Sequence, residues 1–360
     1  MDVLILFFIA FDPWRILLPA GLTMILLVSP WFSREDTQSP YSLLERVLGR
    51  LTSQLAMWLF VLTGLLGLIF PVWLAPSSYA GALPGLGPLE WLETLFYLVG
   101  VYCLWNVKCA VAKGENPRKQ WTWGACVLFL LVALLWILRW DDFAFGGVEV
   151  VGSTVFVWDW TRIFSKTIHL LLSAMAAGGL VVMVIGFLPW KQSPTIREPY
   201  QSDEANEEQR RIQIVRFGMA WVLGGVVPQV VVGSWLLVSL GEDVRSHFLN
   251  GVTLGSWLFF SSLIVALLGL VFINAAFIAP YVKGLVWGGW VNILVAVFLM
   301  GFIRYEALGA GLASLNAGNP LAPLSFWHLI FGVIPMLGLL ALLVRGLKTA
   351  LISQKEQPTA

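Results

Sequence analysis

The chain has 360 residues, of which 58% are hydrophobic and 12% charged, with a mean hydropathy of +0.82. Soluble domains carry about twice that charged fraction, so this composition excludes an ordinary soluble protein and points to a polytopic membrane protein. A net charge of +1 gives nucleic acid nothing to bind, and no nucleic-acid partner is expected.

Residues Met1 to Phe11 are apolar but contain Asp2, with no basic n-region and no small-residue cleavage site. They do not read as a signal peptide. Asp12 followed by Pro13 reads as an N-cap and a first-turn proline, which starts the first span at Pro13. Crossing the hydrocarbon core takes about 20 apolar residues in a helix. On that basis nine spans are predicted, at 13–32, 54–74, 91–108, 121–139, 161–189, 217–240, 253–278, 285–303 and 324–344. The fold class is therefore all-α, a single integral membrane bundle over residues 1–360 with no soluble module and no clear internal repeat.

An odd number of crossings puts the termini on opposite sides. The basic residues decide which side is which. Arg34, Arg46, Arg50, Lys108, Lys113, Arg118, Lys119, Lys191, Arg197, Arg210, Arg211, Arg216, Lys283, Arg345, Lys348 and Lys355 all fall on alternate connections or the C-terminal tail. The positive-inside rule then predicts a cytoplasmic C-terminus and an external N-terminus. Trp58, Trp73, Trp121, Trp140, Trp158 and Trp190 lie at the ends of apolar runs, as interfacial anchors do.

The connection from Lys191 to Ile214 reads as a solvated linker, with Asp203 to Arg211 as a possible short surface helix. Asp141 to Asp159 and Arg304 to Phe326 read as external segments, the second as loop because of its Gly, Ala, Asn and Pro content. Cys103, Cys109 and Cys126 form no Cys-x-x-Cys pair, which leaves covalent haem attachment and an iron–sulfur site unsupported.

The fifth span carries the densest chemistry. Arg162, Lys166 and His169 are spaced by four and three residues, so they fall on one helical stripe that Ser173 and Ala176 continue. Ionisable groups inside a bilayer are costly and mark candidate functional sites. His169 lies roughly 10 Å deeper than Arg162 at about 1.5 Å per residue. Its imidazole is a candidate haem ligand, and the two cations are candidate partners for haem propionates or a quinone oxygen. Beyond it, Ser173 to Gly179 is a run of mostly small residues, which lets either a flat group or another helix come close to the backbone. The blander reading is a histidine bonded to a carbonyl in a packed helix.

A six-coordinate haem needs a second axial ligand. His328, at the start of the ninth span, shares the membrane half of His169. It is the better candidate than His247 in the short external loop, although an interfacial role beside Trp327 is its simpler reading. Arg304 and Glu306 end the eighth span on the external side and are candidates for a quinol headgroup, or else for an interfacial ion pair. Gln229 beside Pro228 is expected to satisfy carbonyls that the proline frees. Asn274 and Asn292 are expected to bond between helices.

The string from Arg162 to Gly179, with Lys166 three residues before His169 and small residues after it, resembles the fifth helix of cytochrome bd-type quinol oxidase subunit I. In that family the histidine ligates a haem b. Nine spans with an external N-terminus also match it. The resemblance implies a membrane redox subunit that binds haem b, quinol or both and passes electrons in a respiratory complex. It further implies a bacterial cytoplasmic membrane, surrounding lipid, and partners among other respiratory-complex subunits or an external cytochrome.

The chain departs from the family in several places. Its first span has no histidine where the family has a haem ligand, and its seventh span has no methionine. The long quinol-binding loop is reduced to Gly241–Gly251, and Glu90 and Glu93 match the family's third-helix glutamates only loosely. These departures imply a reduced relative without an intact oxygen-reducing site. A transporter with a polar path, or a cofactor-free anchoring subunit, are the alternatives.

Overall fold

In the computed structural model, residues 13–33, 39–74, 83–113, 119–145, 147–150, 153–156, 159–187 and 203–314, with 341 and 345, are described. The elements in chain order are α1 (Trp14–Val28), α2 (Pro30–Ser33), α3 (Pro40–Leu74), α4 (Leu83–Ala112), α5 (Lys119–Phe145), a hairpin of β1 (Gly147–Val150) and β2 (Ser153–Phe156), α6 (Trp160–Phe187), α7 (Asp203–Ser239), α8 (Glu242–Leu249), α9 (Leu254–Ile278) and α10 (Lys283–Ser314). Apart from that hairpin the described elements are α-helices, and the protein is a multi-pass membrane helical bundle. Among the described residues, seven helices are long and apolar enough to cross a bilayer. They coincide with the expected spans one and three to eight. The expected second span falls within α3, and the ninth, with His328, lies outside the described residues.

Three local expectations change. The Ala- and Leu-containing stretch after Arg304 continues α10 to Ser314 instead of forming a loop, since both residues favour helix strongly enough to outweigh the glycines. The charged stretch from Asp203 is not a separate surface helix but the first turns of α7, steadied by an Arg211–Glu207 pair at i,i+4 spacing. The short connection between α7 and α9 contains α8, an amphipathic helix of about two turns that buries Val244 and Phe248.

Two buried clusters organise the bundle, and α6 contributes to both. One joins α1, α3, α4 and α5 to the Ile163, Leu170, Ala174 and Val181 side of α6. The other joins α7, α9 and α10 to its Ala176, Leu180 and Met183 side. The outer faces of α7 and α9 leave Val231, Val238, Val271 and Ile278 largely uncovered, which suits contact with lipid chains.

Glycine lets α6 sit between its neighbours. A Cβ on Gly178 would stand 2.8 Å from the Gly21 carbonyl carbon of α1, and one on Gly179 would stand 2.6 Å from the Gly218 oxygen of α7. The backbones are in direct contact, the close approach that small residues permit in membrane helix pairs. Trp290 of α10 completes the enclosure, its indole N–H donating to the Leu180 carbonyl at 3.1 Å.

At the end that the basic residues assign to the cytoplasm, Glu45 is half-buried where α3 meets the end of α1, and its Oε1 has no hydrogen-bond partner among the described residues. Burial raises its carboxyl from 4.5 to about 7, against the lowering effects of a hydrogen bond from Ser29 and the charge of Arg46. A folded-state value above the unfolded one means that the folded chain binds the extra proton. Stability from this group is therefore complete below about pH 4.5 and declines as pH rises through about 7. Glu45→Gln is expected to leave the melting temperature unchanged at pH 4 and to raise it increasingly between pH 5 and 8. Thermal melts across that range check the sign, and a gain confined to acid pH would contradict it.

Candidate functional site

His169, Ser173 and Ala176 of the fifth-span stripe face α7. Asp159 opens α6 as its N-cap, its Oδ1 accepting from the Thr161 N–H at 3.0 Å and the Arg162 N–H at 3.3 Å. Arg162 is buried, whereas Lys166, His169 and Ser173 are half-buried. Down the contact with α7, the Ser165 and Ser239 hydroxyls meet at 3.3 Å. A Cβ on Gly233 would stand 4.0 Å from His169 Cε1. One turn deeper, Gln229 Nε2 donates to Ser173 Oγ at 2.6 Å and to the His169 carbonyl at 3.3 Å, while the Ser173 hydroxyl donates to that same carbonyl at 2.8 Å. Below that, a Cβ on Gly225 would stand 2.5 Å from the Leu172 oxygen, so the helices touch.

This geometry sorts the sequence-level expectations. Gln229 does not serve its own helix beside Pro228 but ties α7 to the main chain of His169. Asn274 and Asn292 donate to the Leu270 and Gly288 carbonyls one turn back in their own helices, not across to another. The run of small residues after Ser173 is filled by the backbones of α1 and α7, so on that run it is a helix, not a flat group, that approaches.

The imidazole of His169 stands above this sealed region, at a level of the α6–α7 contact where α7 presents Gly233. Its Nδ1 is out of reach of solvent and has no hydrogen-bond partner among the described residues. Buried nitrogen donors and acceptors are nearly always satisfied, so this one calls for an explanation.

Arg304 and Glu306 are two residues apart on α10 and turn to different neighbours. The Arg304 guanidinium lies over the Trp136 ring of α5, 4.1 Å from its centroid. Glu306 meets His247 Nε2 of α8 at 3.1 Å. His247 itself is held by its main chain, whose carbonyl accepts from Thr253 Oγ1 at 2.6 Å and Ser256 Oγ at 2.9 Å. The structure thus pairs His247 with Glu306 and not Glu306 with Arg304.

An ion pair that the sequence did not announce lies inside the other half of the bundle. Arg15 of α1 and Glu93 of α4 are paired, with Arg15 8% and Glu93 2% exposed. Among the described residues there is no group of three His, Cys, Asp or Glu side chains arranged to hold a metal ion.

No family model matches the chain. No curated protein matches it either. Among solved structures it is similar to the bd oxidase of Geobacillus thermodenitrificans, with a TM-score of 0.70 and 12% identity over 99% of both chains. An identity that low carries the fold alone: the chain has a bd-oxidase-like helical architecture from end to end.

Proposed function

We propose that the protein is a membrane redox subunit of a bacterial respiratory complex, built on the bd-oxidase-like fold and holding one b-type haem on α6. The single observation that carries this reading is the solvent-inaccessible Nδ1 of His169, which has no partner among the described residues, on an imidazole set against Gly233. The residues fit the group. His169 would supply an imidazole nitrogen to its iron, the His169 carbonyl being held by Ser173 and Gln229. Lys166 and Arg162, one and two turns nearer the membrane surface, would neutralise propionates. His328 is the proposed second ligand. A haem bound there supplies one-electron transfer, and the protein supplies its ligand, burial and charge. Quinol is the proposed electron donor, with Arg304 and Glu306 on the same side of the membrane as candidates for its headgroup.

A second reading has its own observation. The small-residue run of α6 is sealed by helix backbones, as suits a cofactor-free anchoring subunit. A spectrum separates the two. Protein purified in mild detergent is expected to give a b-type α-band on addition of a short-chain quinol. His169→Ala is expected to lose that band while remaining monodisperse. A colourless preparation that co-purifies with partner subunits would favour the anchor.

A further inference from the structure

We infer that the half of the bundle made by α1, α3, α4 and α5 is a closed, cofactor-free core clamped by the Arg15–Glu93 pair, so that no dioxygen-reducing centre is housed in that half. Described side chains of all four helices pack closely around the pair. Tyr97 of α4 is fully buried, and its hydroxyl is within donating distance of two main-chain carbonyls, Arg15 O at 3.1 Å and Ala56 O at 2.9 Å. One phenol thereby joins α1, α3 and α4. Phe60 of α3 stacks on the Tyr97 ring at 5.1 Å and Phe129 of α5 meets its edge at 5.2 Å, so all four helices converge there. A Cβ on Gly100 would lie 3.3 Å from the Phe129 ring, and Ile16, Leu18 and Leu22 are buried around the same level.

A macrocycle placed here would have to displace Tyr97 and Phe129. It would also separate a guanidinium from its carboxylate in a low-dielectric interior. Burying two charges is costly, and each is tolerated because of the other; removing one leaves the other uncompensated. The same interior offers iron no imidazole, since the chain's histidines are 169, 247 and 328, none of them in these four helices.

The test is a double-mutant cycle in the full chain. Arg15→Met and Glu93→Leu are each expected to lower the melting temperature by about 10 °C or to abolish monodisperse protein. The double variant is expected to recover to within a few degrees of the wild type. Its pigment per chain should equal that of the wild type, and carbon monoxide should leave the reduced spectrum of both unchanged. A double variant as unstable as the worse single, two or more haems per chain, or a carbon monoxide-shifted band that the double variant loses would each overturn the closed core. If the wild type proves colourless, the cycle still reads the clamp, and only the haem-binding proposal fails.

Discussion

Gly21→Leu is expected to yield no folded, monodisperse protein. A Cβ at residue 21 would stand 1.9 Å from the Ala174 carbonyl oxygen and 3.1 Å from the Gly178 amide nitrogen, so even alanine cannot be accepted without moving a backbone. The atoms in the way belong to α6, and they cannot rotate aside as a flexible side chain would. Moving α6 away from α1 would in turn open its contact with α7, where Gly179 and Gly218 are pressed together in the same manner. Overpacking typically costs about 1–3 kcal/mol where side chains can yield, and the cost is larger against fixed main chain. Gly284, whose Cβ would meet nothing within 4 Å, is the control: Gly284→Leu should leave yield and melting temperature close to the wild type. Size-exclusion profiles of the two variants check the pair. A well-folded Gly21→Leu protein would mean that the α1–α6 contact is not what it appears from these distances.

Gly233→Leu is expected to have the largest effect on the candidate site without unfolding the chain. Alanine at 233 would make an ordinary contact with the His169 ring, its Cβ 4.0 Å from Cε1, and should be tolerated. Leucine extends branched carbons from that position into the space next to the ring. Within a helix, leucine is also favoured over glycine by close to 1 kcal/mol, so α7 itself gains. The expected outcome is a folded protein with its b-type band lost in Gly233→Leu and retained in Gly233→Ala. Equal pigment in both variants would show that whatever His169 holds does not lie on the α7 side.

Much of the architecture was legible in the amino-acid sequence because the bilayer imposes a single requirement, about 20 apolar residues per crossing. The runs at 91–108, 121–139 and 253–278 meet it so plainly that the bilayer-length apolar parts of α4, α5 and α9 follow within a few residues. Element ends were less legible. Whether α10 stops at Arg304 or runs on to Ser314 depends on weak propensities, and α8 gave only eight residues of amphipathic signal.

The candidate site was half visible. Periodicity placed Arg162, Lys166, His169 and Ser173 on one stripe, but nothing in that helix says which neighbour the stripe meets. The glycines at 218, 225 and 233 recur at seven- and eight-residue spacing along α7, and that spacing was the available signal for the opposing face. The Arg15–Glu93 pair was out of reach for a different reason. Two opposite charges near the starts of two spans, 78 positions apart, look like separate interfacial residues until the fold brings them together. Likewise, adjacency along α10 suggested that Arg304 and Glu306 act jointly, whereas the helix turns them toward Trp136 and His247.

The centre of the account is that His169 is kept in an apolar helix because its ring nitrogen binds a haem. The most direct measurement is the haem-to-chain ratio of the purified protein, by pyridine haemochrome against amino-acid analysis, for the wild type and for His169→Ala preparations matched in elution volume. The account predicts a ratio near one in the wild type and near zero in the variant. A wild type with no haem, or a variant that retains the wild-type ratio, would contradict it.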